Sequence, residues 1–290
     1  MPRHSPTPRT FELRDDVRSA FPPDPAAAFD RILALDGRVY RELDGRRTLR
    51  FELPIGSFFL KAHFGTPWRE ILKNLCSLRR PILGARTERV AIARVEALGL
   101  ESTTVAGFGE RGVSPARRQS FLITDEILRA ESLEDHCRGW ARRPPAWPAR
   151  RAIIESIADV LRRLHDGGIH HRDAYACHFL LDLDEVAAAT KSPHALEEPL
   201  RLFVIDLHRA AIFTSLPRRA RVKDLAALLF SSLDFGLTRT DLLRFVRVYC
   251  RRDFRASLRT DLALWSEVAA RAASLYRKEH GREPPRSATP

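Results

Sequence analysis

Gly168-Ile169-His170-His171-Arg172-Asp173-Ala174-Tyr175-Ala176-Cys177-His178-Phe179-Leu180-Leu181 is the stretch that organises this chain. A helical pattern precedes it. Ile153, Ile157, Val160, Leu161 and Leu164 recur at spacings of three and four, and Gly167-Gly168 stops the pattern. Phe179-Leu180-Leu181 and Leu202-Phe203-Val204-Ile205 read as a short strand pair, and Asp206 follows the second strand. One Asp stands behind His-Arg in a loop, and another stands at a strand end. Such an arrangement suits one carboxylate that orients a hydroxyl and another that holds a divalent ion near phosphates. Alone, His-Arg-Asp is a weak signal, since a solvated loop with an incidental salt bridge has the same letters.

Working outward, residues 1–25 carry Pro2, Pro6, Pro8, Pro22, Pro23 and Pro25 and read as a loose arm, with a short helix over 26–35. From Gly37 the period changes to that of strands. Val39–Leu43 and Thr48–Leu53 flank Asp44-Gly45, a hairpin signal because Gly supplies the positive φ such turns need. Ser57–His63 is a third strand, so residues 37–63 form an antiparallel meander. Residues 85–98 read as a helix stopped by Gly99, and Thr103–Gly109 and Ser120–Glu126 as strands. From about Val222 the pattern is helical, with Asp224 opening a helix where its charge favours the dipole. The domains expected are an arm and short helix (1–36), a β-rich lobe (37–126) with a basic insertion (68–83), a helical lobe (127–280) and a disordered tail (281–290).

The 290 residues suit one two-lobed domain or two small ones. With 49 basic and 37 acidic residues the net charge is +12, which points to an anionic partner without choosing among nucleic acid, a membrane surface, a phosphorylated substrate or an acidic protein. Cys76, Cys137, Cys177 and Cys250 are scattered with no C-x-x-C pair, which argues against a zinc site and a disulfide framework and fits a reducing compartment. No apolar run approaches the roughly 18 residues of a membrane span, and the start lacks the apolar core of a secretory signal. A cytoplasmic protein is therefore expected.

Lys61 ends a strand in an apolar setting, and Glu88 stands near the start of the next long helix. A Lys held by a helix carboxylate can bridge nucleotide phosphates. Asp125-Glu126, after Phe121-Leu122-Ile123, resembles a hinge where backbone groups meet adenine. Gly37 opens the first strand without a full G-x-G-x-x-G. The order of meander, Lys, helix with Glu, polar-ended strand, helix, His-Arg-Asp, strand pair, Asp and helices is that of a kinase core.

On these residues the sequence resembles the lipopolysaccharide core heptose(I) kinases of Gram-negative bacteria, a protein-kinase-like family. The resemblance is carried by Phe51-Glu52 with Phe58-Phe59-Leu60-Lys61, by Gly84-Ala85-Arg86-Thr87-Glu88 and by His171–Leu181. Ile205-Asp206-Leu207-His208-Arg209, Lys223-Asp224-Leu225 and Leu237–Phe245 continue it, over about residues 37–250. It implies an α+β, protein-kinase-like fold of two lobes and transfer of the γ-phosphate of ATP to a heptose hydroxyl of the inner core. Asp173, with Arg172 and His171, would be catalytic. Lys61, Glu88, Gly37, Asp125 and Glu126 would bind nucleotide, and Asp206 and His178 would hold Mg²⁺. The acceptor would be lipid-linked, met at the cytoplasmic face of the inner membrane, with an anionic membrane surface as peripheral partner. Apolar and basic residues of Trp68–Arg89 suit that surface. An acidic protein such as acyl carrier protein is left open as a partner, and no nucleic acid is expected.

Departures from ordinary protein kinases are visible. His178 stands where Asn would bind a second metal, Asp206-Leu207-His208 replaces Asp-Phe-Gly, and no Ala-Pro-Glu follows. Two rival readings remain: a kinase-like enzyme acting on a soluble small molecule or on tyrosine, and a catalytically silent anion-binding pseudokinase.

Overall fold

The computed structural model describes residues 7–43, 45–66, 68, 84–191, 199–251 and 254–285. The chain divides into two compact units, residues 1–93 with 103–127 and residues 94–102 with 128–290. Among the described residues no helix is long and apolar enough to cross a membrane.

The first unit contains β1 (Thr10–Leu13), α1 (Asp15–Arg18), α2 (Pro25–Leu33), β2 (Arg38–Leu43), β3 (Arg46–Leu53), β4 (Gly56–His63) and most of α3 (Arg86–Ala97). After β5 (Glu101–Ser102), which belongs to the second unit, it adds β6 (Val105–Arg111) and β7 (Gln119–Asp125). Its six strands run β1-β6-β7-β4-β3-β2, antiparallel at every pairing. The β2–β3 turn needs Gly45, whose φ is +79° and whose Cβ, if present, would meet the Gly65 carbonyl at 2.2 Å. Strand β4 alternates: Phe58, Leu60 and Ala62 are buried in a core with Phe29, Phe121 and Ile123. Phe59 and Lys61 therefore point to the other face.

The expected arm is corrected here. Phe11 and Leu13 alternate inward, and Thr10–Leu13 pairs with Glu110–Gly107 as an edge strand. Asp24 caps the backbone N–H of Ala27, Pro25 sits in the first turn, and Ala28, Phe29, Ile32 and Leu33 bury the inner face of α2. Among the described residues, Pro8, Pro22 and Pro23 lie outside these elements and Pro25 opens α2, so they punctuate the segment without preventing its packing. Of the expected basic insertion, residues 69–83 lie outside the described residues, and Trp68 is exposed. Of the expected disordered tail, residues 286–290 also lie outside them.

The second unit is mainly helical. It contains β8 (Ala130–Ser132), α4 (Leu133–Cys137), α5 (Trp147–Asp166), β9 (Ile169–His170), β10 (Phe179–Asp182), α6 (Leu183–Lys191), β11 (Leu202–Val204), β12 (Ala211–Ile212), α7 (Arg218–Ser232), α8 (Arg239–Cys250) and α9 (Phe254–His280). The stripe Ile153, Ile157, Val160, Leu161 and Leu164 of α5 is buried. Sheet β5-β11-β10-β8 and the pair β12–β9 bracket the loop of residues 171–178. Asp224 lies inside α7, which begins at Arg218, so it does not open a helix as expected.

One buried ion pair ties α5 to the start of α8. Arg150 Nη2 lies 2.5 Å from Asp241 Oδ2, with the side chains 7% and 1% exposed. Asp241 also accepts the Thr238 N–H and hydroxyl in a capping box, and Arg150 donates to the Gly236 carbonyl. Burial alone would raise the Asp241 carboxyl, but bonds from Arg150 and Thr238 outweigh it and hold the group below the usual carboxylate range. Removing one partner strands a buried charge. Asp241→Ala should therefore destabilise the fold by about 3–5 kcal/mol, read from denaturant unfolding. Because the folded value is depressed, the contribution is present above the ordinary carboxylate pKa and lost as pH falls below it.

Candidate active site

Asp224 fixes the His-Arg-Asp loop by its backbone. The carboxylate is fully buried and accepts the N–H of His171 (2.8 Å) and of Arg172 (2.9 Å). His165 and His170 approach it at 3.4 Å. Burial works against the charge, yet the bond from His165 and the fields of His170, His165 and His171 keep the carboxyl below its ordinary range. Arg172 has φ +73°, a left-handed conformation that costs a non-glycine residue on the order of 1–3 kcal/mol. Two backbone bonds to one carboxylate hold it there.

His171 is completely buried, and burial lowers its pKa, keeping the imidazole neutral. Its Nε2–H donates to the Ile205 carbonyl at 3.1 Å, which ties the loop to the chain just before Asp206. Asp206 is itself left-handed, with φ +59°, and a single 3₁₀ turn, Leu207–Arg209, follows. That turn folds His208 back so that Nδ1 meets Asp206 Oδ1 at 2.8 Å. It also carries Arg209 across to Asp173, Nη1 to Oδ1, at 2.7 Å.

His178 joins the two carboxylate-bearing segments. Its Nδ1–H donates to the Asp173 carbonyl at 2.6 Å, and its ring stacks on His171 with centroids 5.8 Å apart and planes within 5°. Nε2, the other ring nitrogen, lies 3.6 Å from Asp206 Oδ2. With the ring's single proton on Nδ1, these two atoms are both acceptors, an arrangement that suits a cation between them. A histidine anchored to a carbonyl through its other nitrogen is oriented as metal-ligating histidines are. Among the described residues, no group of three or more His, Cys, Asp and Glu side chains converges into a metal cage.

In the first unit, Lys61 Nζ lies 2.5 Å from Glu88 Oε1; Glu88 is nearly buried and Lys61 partly exposed. Gly37 packs where a Cβ would meet the Arg50 carbonyl at 2.2 Å. Asp125 pairs with both terminal nitrogens of Arg14, and Glu126 with Nε of Arg50. The N–H of Asp125 donates to the Thr104 carbonyl and that of Glu126 to the Ser57 carbonyl, so neither donor is open to a base. Asp125 stands opposite Phe58, near the start of β4, whereas Lys61 lies toward its end.

The structure thus brings Asp173, His171, Arg172, His178 and Asp206 together in one unit, and Lys61 with Glu88 in the other. Sequence reasoning assigned no site role to Asp224, His165, His208 or Arg209. For His208 and Arg209 the signal was present in Ile205-Asp206-Leu207-His208-Arg209, and for Asp224 in Lys223-Asp224-Leu225, but these segments carried only the resemblance, and the backbone bonds of Asp224 are announced by no residue type.

The lipopolysaccharide kinase (Kdo/WaaP) family profile matches residues 30–249. The lipopolysaccharide core heptose(I) kinase WaaP of Pseudomonas aeruginosa PAO1 is 45% identical over 251 residues, covering 87% of this chain and 91% of that protein. The enzyme of the same name from Escherichia coli is 44% identical over 247 residues, covering 85% and 90%. A solved structure, WaaP in complex with acyl carrier protein, superposes with a TM-score of 0.75 at 39% identity, covering 92% of this chain and 99% of that one. A β-rich unit, a helical unit and a His-Arg-Asp loop pinned by its backbone thus occur in a chain matched along most of its length, and this chain belongs to the lipopolysaccharide kinase (Kdo/WaaP) family.

Proposed function

We propose that the chain transfers the γ-phosphate of ATP to a heptose hydroxyl in the inner core of lipopolysaccharide. The observation that carries this reading is the joined loop and turn of the second unit, which present Asp173, His178 and Asp206 on a backbone fixed by Asp224. In this reading Asp173 accepts the hydrogen bond of the acceptor hydroxyl and takes its proton as the phosphorus is attacked. His171 and Arg172 act through the backbone, His171 also through its bond to the Ile205 carbonyl. Lys61, steadied by Glu88, binds the nucleotide phosphates. Gly37 allows close strand approach near them. Asp125 and Glu126 would border the base, although their N–H groups are engaged by backbone and their carboxylates by Arg14 and Arg50.

Asp206 is the hard oxygen ligand a Mg²⁺ ion requires, and ions of this kind commonly take one or two carboxylates with the remaining positions filled by phosphate and water. His178 Nε2 is the second donor. The ion would supply charge neutralisation at the phosphates. Imidazole suits softer divalent ions than Mg²⁺, so the His178–Asp206 pair predicts a broadened metal preference.

The acceptor is expected to be lipid-linked and met at the cytoplasmic face of the inner membrane, with the net charge of +12 favouring an anionic bilayer. An acyl carrier protein, the partner named for the similar solved structure, is proposed as an acidic protein partner for the same positive field.

The deciding experiment is transfer from ATP to purified core lipopolysaccharide lacking phosphate, with the product's mass and position determined; absence of transfer would remove the reading. Asp173→Ala is expected to lower kcat about 10²–10⁴-fold while the protein stays folded. Lys61→Arg should lose about 10–100-fold in kcat/KM for ATP, the worth of a charge-assisted bond of 1.5–3 kcal/mol. A broad planar guanidinium does not replace a compact ammonium beside Glu88, and parent-like kinetics would make Lys61 a surface residue. His178→Asn should retain activity but shift the relative Mg²⁺ and Mn²⁺ titrations toward Mg²⁺. Superimposable titrations would place His178 away from the metal.

A further inference from the structure

We propose that Arg209 is a catalytic residue for this transfer: its guanidinium, docked on Asp173, contacts the phosphoryl group in flight and stabilises its charge. The proposal rests on the reading of Asp173 as the residue that meets the acceptor hydroxyl. Three observations lead to it. First, Arg209 Nη1 donates to Asp173 Oδ1 at 2.7 Å, which leaves Oδ2 for the hydroxyl. Second, the Asp173 side chain is 12% exposed whereas that of Arg209 is 42% exposed. One edge of the guanidinium therefore faces the carboxylate and another faces solvent. Third, the residues between Asp173 and His178 are Ala174, Tyr175, Ala176 and Cys177, none of them cationic. A cation beside Asp173 must come from elsewhere, and the left-handed Asp206 and its 3₁₀ turn bring one.

Geometry then limits what this cation touches. A hydroxyl bonded to Asp173 has its oxygen about 3 Å from the carboxylate. The phosphorus it attacks is one bond further on, within reach of a guanidinium held on the same carboxylate. In the transition state negative charge spreads over the three equatorial oxygens, and a planar fork of N–H donors is matched to such oxygens. The step balances simply. The acceptor oxygen forms a bond to the γ-phosphorus, the bond from that phosphorus to the bridging oxygen breaks, and ADP leaves with the electron pair. The hydroxyl proton passes to Asp173. Arg209 neither gains nor loses a proton; it gives hydrogen bonds that strengthen as charge develops. Because Asp206 lies three residues before it, the same short segment would deliver the metal carboxylate and this cation to the phosphates.

The test uses the full chain with ATP, Mg²⁺ and phosphate-free core lipopolysaccharide. Arg209→Ala should lower kcat about 10²–10³-fold and leave KM for ATP and acceptor within a few-fold of the parent, with an unchanged melting temperature. Arg209→Lys should recover part of the rate, and added guanidinium should restore part of kcat in Arg209→Ala but none in Asp173→Ala. Arg209→Gln is measured alongside and read in the same way if Arg209→Ala does not fold. Parent-like kcat in the neutral variants would overturn the proposal. So would a loss that rises in KM alone, or one that follows the melting temperature and is not rescued by guanidinium. If Asp173→Ala keeps its activity, the reading of the site fails. If Asp173→Ala is inactive and the neutral Arg209 variants are fully active, the site stands and only the role of Arg209 fails.

Discussion

A buried carboxylate, Asp224, gives the helical unit its fixed point. Two successive backbone N–H groups, of His171 and Arg172, belong to no strand or helix, and groups buried in this way must find acceptors. Asp224 supplies one acceptor for both, Oδ2 to His171 and Oδ1 to Arg172. The chain is thereby held in a left-handed step at Arg172, and that step sets the direction in which Asp173 leaves the loop. From there the constraint spreads: the Asp173 carbonyl orients His178, and the His171 ring fixes the Ile205 carbonyl one residue before Asp206. Because the Asp224 carboxyl is held below its usual range, this anchoring is present above the ordinary carboxylate pKa and weakens as pH falls below it.

Much of this architecture was legible in the sequence, for physical reasons that differ from element to element. The α5 stripe is read directly because one face is buried and its period is 3.6. Strand β4 is legible through alternation, and that alternation sends Lys61 to the face opposite the core. The pairing of Lys61 with Glu88 followed from the positions of a strand-end cation and a helix-start carboxylate. Strand β1 was hidden because four residues beside a proline cluster carry too few alternations to count, and because its pairing partner, β6, is about a hundred residues away.

Asp224 and Arg209 stand in segments that carry the resemblance, yet what they do was not legible, for subtler reasons. Sequence patterns report side chains that face a core or a ligand. Asp224 is partnered by backbone, which every residue carries. Arg209 reaches Asp173 only because Asp206 adopts φ +59°, a conformation that an Asp-Leu dipeptide does not advertise. The expected hinge shows the converse. Asp125-Glu126 were singled out by their place at a strand end, but two of their four main-chain polar groups already serve Thr104 and Ser57.

Asp224 and Glu88 differ in how completely their carboxylates are satisfied. Asp224 uses both oxygens, each on a backbone donor, inside a fully buried site. Glu88 uses Oε1 on Lys61, and its buried Oε2 has no hydrogen-bond partner among the described residues. A buried pair with an unsatisfied oxygen is a poor source of stability, because the desolvation of the carboxylate is only partly offset. On the proposed reading, the ammonium must be held firmly enough to be placed and loosely enough to share its three donors with phosphate oxygens. A partly exposed Lys on an under-satisfied Glu meets both requirements, whereas the closed bonding around Asp224 would not release its partners to any ligand.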